Sequence, residues 1–193
     1  MPASLSFSRS TLSLAVAGLA LGGAFVGGAT QAPQASAADH RLLPPAHACG
    51  GKGDNRALPA RAQEKVMRCL INRARANAGR SRLATHPGLT RAARAKNAAM
   101  VRHQQFSHTP TGRSFGSIVR RSYNGRSMGE NIAMGTGALG SPRSILDGWL
   151  KSPGHRRNLL RADWQHQGVA LRKNARLDGH LGVAVWSSEF GRR

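Results

Sequence analysis

The chain has 193 residues, and its 29 Lys and Arg outnumber its 8 Asp and Glu, giving a formal net charge of +21. Such a charge attracts polyanions over a Debye length of about 8 to 10 Å, although arginines scattered along a whole chain are also typical of an ordinary solvated surface. With one Tyr and five Phe, the chain is poor in the aromatic side chains that stack on single-stranded nucleic acid. We expect acidic envelope polymers or anionic lipids as partners and no sequence-specific nucleic acid.

The first 37 residues have the order of a secretory signal peptide. Arg9 precedes an apolar run from Leu12 to Val26, and the small residues Ala35-Ser36-Ala37 follow it. A membrane anchor is the alternative, but three glycines interrupt the run, which is shorter than the roughly 20 apolar residues of a membrane span. We therefore predict export from the cell, cleavage after Ala37 and no transmembrane anchor in the mature protein.

The mature chain is expected to be a single domain with an N-terminal arm. Residues 38–60 are rich in Pro, Gly, His and charge with little apolar periodicity, which predicts an extended basic arm ahead of a domain at 61–193. The two cysteines of the chain, Cys49 and Cys69, predict one disulfide in an exported protein. The alternative, a nucleophilic thiol, is disfavoured because Cys69 lies in a helical pattern with no adjacent His.

Apolar spacing predicts helices in the first part of the domain and strands in the last. The helix signals are recurrent apolar residues and start and stop residues, with Pro153 and Gly154 ending the last helix. The Val-rich runs Gln167–Leu171 and Leu181–Trp186, on either side of Leu177-Asp178-Gly179, predict an antiparallel hairpin. This order indicates an α+β fold with an antiparallel sheet. The predicted helices are Arg61–Ala78, Thr85–His103, Ser114–Arg121 and Ser141–Ser152, with a Gly-rich loop around Gly125 and Gly129.

Three segments combine an ionisable residue with local rigidity: Phe106-Ser107-His108, Gly129-Glu130-Asn131 and Ser152-Pro153-Gly154-His155. Glu130 lies among apolar neighbours, and a half-buried carboxylate there needs a partner. Two imidazoles and a carboxylate that converge in a cleft can hold a divalent metal such as Zn²⁺. They can equally form a metal-free acid–base cluster, in which one His keeps Glu130 ionised and the other acts on substrate.

Taken in order, these segments resemble the signature of the CAP superfamily, the cysteine-rich secretory, antigen 5 and pathogenesis-related 1 proteins, in its short bacterial secreted form. The resemblance covers roughly Val66 to Gly191. Its motifs here are Cys69-Leu70-Ile71-Asn72-Arg73-Ala74-Arg75, Phe106-Ser107-His108, Gly129-Glu130-Asn131-Ile132-Ala133, the run from Trp149 to Leu160, and Gln167-Gly168-Val169-Ala170.

This resemblance implies an α-β-α sandwich with a central antiparallel sheet flanked by helices, and a cleft lined by two histidines and two acids that binds zinc in some members. His108, Glu130 and His155 match three of these four positions and are the candidate metal ligands. The second acid of the eukaryotic pattern falls at Ser152, and Asp147 is a conceivable replacement on another part of the helix. The departure weakens any mechanism that needs an acid pair.

Other polar and aromatic residues near the motifs are expected to have structural roles. Asn131 and Asn158 should satisfy backbone groups of loops and helix ends, and Trp149 should lie in the core. Glu189 is interpreted as a surface residue at the end of a strand. Ser107 and His108 should point apart, as neighbours in an extended loop do, which argues against a Ser–His dyad.

Members of the family have diverse roles, so the fold alone does not define a function. The dominance of basic residues favours a non-catalytic secreted binding module at the cell envelope or outside the cell. The alternative is a metal-dependent hydrolase that uses the His108, Glu130 and His155 cleft, with Glu130 as the candidate catalytic residue and Zn²⁺ as the candidate cofactor. Lipid carriage and signalling are further possibilities. The motifs of His-Glu-x-x-His metalloproteases and phosphate-binding loops are absent from the sequence.

Overall fold

The structure is a computed structural model that describes residues 41–193. The predicted signal peptide, its cleavage site after Ala37 and the first residues of the arm lie outside this range. Along residues 41–193, no helix is both long and apolar enough to cross a membrane.

The helices begin and end close to the predicted residues. His86 caps α2, since its Nδ1 accepts a hydrogen bond from the Gly88 amide at 3.0 Å, and Ser141 caps α4 in the same way through its Oγ. Pro153 does end α4, but it also starts a further short helix, because proline is well tolerated at a first helical position. The helices are α1 (Ala60–Asn77), α2 (Pro87–His103), α3 (Phe115–Val119), α4 (Pro142–Lys151) and α5 (Pro153–Leu159).

A four-stranded sheet forms the centre of the domain, with the order β1-β3-β4-β2. All neighbouring strands are antiparallel except for a two-residue parallel pairing of β1 with β3. The hairpin is confirmed, with Asp178 and Gly179 at its turn in the left-handed region that such a turn requires. Its strands are longer than predicted. The strands are β1 (Ala84–Thr85), β2 (Ser127–Gly135), β3 (His166–Leu177) and β4 (His180–Arg192).

Strand β2 replaces part of the predicted Gly-rich loop. Gly129 lies within this strand, and its role is close approach rather than a turn. A Cβ atom at Gly129 would clash with the side-chain oxygen of Asn158 and would lie 2.7 Å from the Trp164 ring. The glycine therefore allows the segment after α5 to pack directly on β2.

Helices cover both faces of the sheet, which confirms the α-β-α sandwich. On one face α1 and α4 pack on a large core that includes Trp149, Trp186 and Phe190. On the other face α2 packs on β3 and β4, with Val183 and Val185 in a second core. Because side chains alternate along a strand, β4 supplies apolar residues to both layers and is buried between them.

The arm is joined to the domain by the predicted Cys49–Cys69 disulfide, which is present. The arm is less extended than expected, because it contains a short helical segment at Ala48–Gly51. Leu42, Leu43 and Leu58 also pack against the main core. The arm is therefore held by apolar contacts as well as by the disulfide.

Candidate functional site

Glu130 lies at the centre of the candidate site, in the middle of β2. Its side chain is 1% exposed, and it shares the face of the sheet that α2 covers. Glu130 pairs directly with Glu189 of the neighbouring strand β4. A carboxylate this deeply buried is stable only with donors around it, and the structure supplies them from three directions.

His108 is the first of these partners. It lies in the loop after α2, and its Nδ1 is 2.7 Å from Glu130 Oε1. Its side chain is 51% exposed, so the ring bridges the buried carboxylate and the solvent. With Nδ1 engaged, the carboxylate orients the imidazole and leaves Nε2 as the nitrogen available to a ligand or substrate.

Lys96 is the second partner, and sequence reasoning assigned it only to the helix. It lies on the inner face of α2 with a completely buried side chain, and its Nζ is 3.1 Å from Glu130 Oε2. The contact is an ion pair without good hydrogen-bond alignment at Oε2. The ammonium also donates to the backbone oxygen of His108 at 2.5 Å. Lys96 thus neutralises Glu130 and anchors the loop that carries His108.

Glu189 is the third partner, and its interpretation as a surface residue is wrong. Its side chain is fully buried because β4 continues to Arg192, so strand alternation turns Glu189 towards α2. Burial raises the pKa of Glu189 well above its usual range, and the charge of Glu130 and a hydrogen bond between the two carboxyl groups raise it further, while Lys96 opposes the shift. The raised pKa favours the neutral form of Glu189, whose proton would supply the hydrogen bond that neither of its carboxyl oxygens receives from another described donor.

His155 faces the cluster from α5. Its Nδ1 is 2.9 Å from Ser152 Oγ, so the residue at the expected position of the second acid is a hydrogen-bond partner of the histidine. Burial lowers the pKa of His155, and the nearby His108 lowers it further. The two histidines are therefore electrostatic neighbours, as the sequence predicted, and His155 favours the neutral form.

Asn131 and Trp149 have the expected structural roles, whereas the side-chain amide of Asn158 contacts another side chain and not a backbone group. Asn131 donates to the backbone oxygen of His155 at 3.0 Å, and Asn158 donates to the side-chain oxygen of Asn131 at 3.0 Å. Trp149 is buried in the core and donates to the Ile132 backbone oxygen. This network ties α5 to β2 and sets the position of His155 relative to Glu130.

Two further sequence hypotheses can be compared with the geometry. Asp147 does not replace the missing acid, because it pairs with Lys151 on the exposed side of α4. Ser107 hydrogen-bonds to Thr109 and not to His108, in agreement with the prediction that a Ser–His dyad is absent. The second carboxyl group near Glu130 comes from Glu189.

The residues fit a salt-bridged acid–base cluster better than a metal site. Across residues 41–193, no group of three or more His, Cys, Asp and Glu side chains is arranged to hold a metal ion. Glu130 is occupied by His108 and Lys96, and His155 by Ser152. The buried ammonium of Lys96 would also repel a cation at Glu130. Zinc binding by His108, Glu130 and His155 stays a prediction.

Comparisons with known proteins identify the family. The sequence profile of the cysteine-rich secretory protein family, CAP, matches residues 69–190, and the chain belongs to this family. The uncharacterized protein YkwD of Bacillus subtilis strain 168 is 30% identical over 131 residues, which are 67% of this chain and 47% of YkwD. The chain thus spans about half the length of this relative.

Solved structures share the fold. An extracellular protein containing an SCP domain from Bacillus anthracis is 25% identical with a TM-score of 0.58, over 69% of this chain and 41% of that one. An outer surface protein of Borrelia burgdorferi has a TM-score of 0.60 at 19% identity, over 70% of this chain and 96% of that one. At that identity, the second likeness is evidence for the fold alone.

Proposed function

We propose that this domain is a non-catalytic binding module that acts outside the cell and holds polyanionic polymers of the cell envelope. The observation that carries the proposal is the charge, 29 Lys and Arg against 8 Asp and Glu. If each acid neutralised one cation, most of the cations would still lack a counter-charge. A protein with this imbalance concentrates polyanions at its surface.

The candidate site supports a binding role, because its carboxylate is satisfied within the protein. Lys96, His108 and Glu189 surround Glu130, which leaves no free carboxylate for chemistry on a substrate. The extracellular location is supported by the Cys49–Cys69 disulfide, since disulfides persist in oxidising compartments. It is also supported by the similar Bacillus anthracis protein, which is described as extracellular.

Salt dependence tests this function. We expect fluorescently labelled polyphosphate to bind at low salt, and its affinity to fall by about 50-fold between about 50 and 200 mM salt if four anionic groups are neutralised. Fluorescence anisotropy measures this, with labelled poly-L-lysine as the control that should not bind. An absence of polyanion binding at low salt, or an affinity that does not respond to salt, would contradict the proposal.

A hydrolase is the second candidate, and the 2.7 Å contact between His108 Nδ1 and Glu130 Oε1 favours it. A carboxylate-oriented imidazole with an exposed Nε2 has the geometry of a general base. In the metal-dependent form of this hypothesis, His108, Glu130 and His155 would hold zinc, which would act as a Lewis acid. Among the described residues, these three side chains share no common coordination point.

Metal analysis distinguishes the two forms of the hydrolase. The protein is purified without chelator or affinity histidines, beside the double variant His108→Ala/His155→Ala. The metal-dependent form requires about one zinc per chain in the wild type and none in the variant. Equal metal content in both proteins would exclude these residues as the zinc ligands. If the metal-free wild type hydrolyses a substrate and the metal-free His108→Ala variant does not, the acid–base form is identified.

A further inference from the structure

A groove between α2 and the α3 region is strongly cationic. Its volume is about 730 Å³. Arg91 and Arg102 of α2 line one wall, and Arg113 and Arg121, from the loop before α3 and the turn after it, line the other. His103 lies at one end. Among the described residues that line the groove, none is acidic.

The four arginines have no counter-charges. None of their guanidinium groups forms an ion pair or a hydrogen bond with another described residue, and all four residues are exposed. The acids that form ion pairs do so elsewhere, as with Glu64 and Arg94 or Asp163 and Arg161. Guanidinium groups gathered around one concavity without an acid repel one another, which disfavours the empty state and favours an anionic occupant.

The floor of the groove allows an extended ligand to lie along the helix. Ala95, Ala98 and Ala99 form it, so on the groove side of α2 only small side chains lie between Arg91 and Arg102. Arg91 and Arg102 are eleven positions apart, which corresponds to about 16 Å along a helix. A single small anion cannot contact both ends, whereas a chain with several charged groups can.

Two features select the class of chain. A phosphate within a polymer presents two divergent free oxygens, which suit guanidinium groups on opposite walls, and arginine is well matched to phosphate. None of the described lining residues is Phe, Tyr or Trp, so the groove lacks the aromatic platforms on which bases of a single-stranded nucleic acid stack most strongly. A flat bilayer does not fit a concave site, and the exposed apolar side chains Leu139 and Leu181 are not part of this groove.

We propose that the groove lined by Arg91, Arg102, Arg113 and Arg121 is a binding site for a linear phosphate-bearing polymer, held through its backbone charges and not through bases. This inference rests on the proposed function and gives it a location and a ligand class. It does not involve His108, Glu130 or His155.

The test compares two variants of equal net charge. The groove variant is Arg91→Gln/Arg102→Gln/Arg113→Gln/Arg121→Gln. The control variant is Arg73→Gln/Arg82→Gln/Arg157→Gln/Arg176→Gln, which removes four exposed arginines outside the groove. All eight positions are exposed, so both variants should fold, and circular dichroism checks this.

The probes are long-chain polyphosphate, tripolyphosphate, poly-L-glutamate and single-stranded DNA. We expect the groove variant to lose at least about tenfold in polyphosphate affinity and the control variant less than about threefold. Tripolyphosphate should bind the wild type more weakly than the long chain, because it cannot span the groove. Poly-L-glutamate should bind more weakly than polyphosphate, and single-stranded DNA should not bind more tightly than polyphosphate.

Each contrary outcome has a different meaning. Equal losses in both variants would overturn the groove while leaving a polyanion-binding module, with binding by diffuse surface charge. Equal affinity for polyphosphate and poly-L-glutamate, or preference for DNA, would overturn the ligand class. If the wild type bound none of the polyanions, the proposed function itself would fail.

Discussion

The two faces of α2 carry positive charges in opposite environments. On the inner face Lys96 is completely buried and lies 3.1 Å from Glu130. On the outer face Arg91 and Arg102 are exposed, line the cationic groove and have no acidic partner. The same helix therefore carries one cation that the fold neutralises and others that it leaves for solvent or a ligand.

This difference separates charge that stabilises the fold from charge that is available for binding. Desolvating an ammonium is costly unless an opposite charge accompanies it, so Lys96 belongs with Glu130. An exposed guanidinium remains hydrated and adds little to stability by itself. We infer that cations of the inner face act on folding and that cations of the outer face act on partners.

The largest expected effect comes from removing the buried cation. Lys96→Met leaves Glu130 buried without its counter-ion, and we expect a loss of about 3 to 5 kcal/mol in the free energy of unfolding at pH 7. Urea denaturation followed by circular dichroism measures this loss.

Arg102→Met is the matched control on the same helix. It also replaces a cation by Met, but the cation is exposed and unpaired. We expect the free energy of unfolding to change by less than about 0.5 kcal/mol. Similar destabilisation by the two variants would contradict the distinction between the two faces. An unchanged free energy of unfolding in Lys96→Met would show that the fold tolerates buried Glu130 without this ion pair.

Much of the fold was predictable because its helices carry strong local signals. The caps at His86 and Ser141 and the regular apolar spacing placed α2 and α4 nearly to the residue. Strand β2 was missed because it is short of β-branched residues, and its Gly129 resembles a turn signal. Glycine is needed there because Asn158 and Trp164 pack closely against the backbone of β2. This is a tertiary contact, which a local sequence pattern does not reveal.

The candidate site was predicted in part. His108 contacts Glu130 and lowers the pKa of His155, but Lys96 and Glu189 were not recognised as members of the cluster. Lys96 occupies an inward position of α2. A lysine at such a position indicates a buried acidic partner only when the strand that packs against the helix is known. Glu189 was misplaced because β4 was predicted to end at Trp186, and strand alternation continued to Glu189 would have turned it inward.

The buried acid pair gives a smaller, pH-dependent effect. The pKa of Glu189 is higher in the folded state than in the unfolded state, where it is about 4.3. The free energy of unfolding of the wild type therefore decreases as the pH rises from the unfolded pKa to the folded pKa. Glu189→Gln keeps the shape and a hydrogen-bond donor but cannot ionise. We expect the variant and the wild type to have similar free energies of unfolding in acid, and the variant to become relatively more stable as the pH rises. Urea denaturation across a pH series measures this difference.

Asp147→Gln is the control for this comparison, since it removes a surface acid paired with Lys151 outside the cluster. It should show no such gain at higher pH. A Glu189→Gln variant that follows the wild type at every pH would mean that Glu189 carries no shifted proton.

The smallest expected effect concerns the two histidines at the mouth of the cluster. Burial and the neighbouring His108 lower the pKa of His155, so its neutral form is favoured in the folded state, and the stability it provides is lost as pH falls below about 6.5 towards the lowered value. His108→Gln removes the electrostatic effect of His108 but not the burial of His155. We expect the midpoint of His155, followed by NMR, to move part of the way back towards 6.5. His103→Gln, at the end of the groove, is the control and should leave that midpoint unchanged. An unshifted midpoint in His108→Gln would mean that the histidines do not sense each other, and both the acid–base cluster and the shared zinc site require that they do.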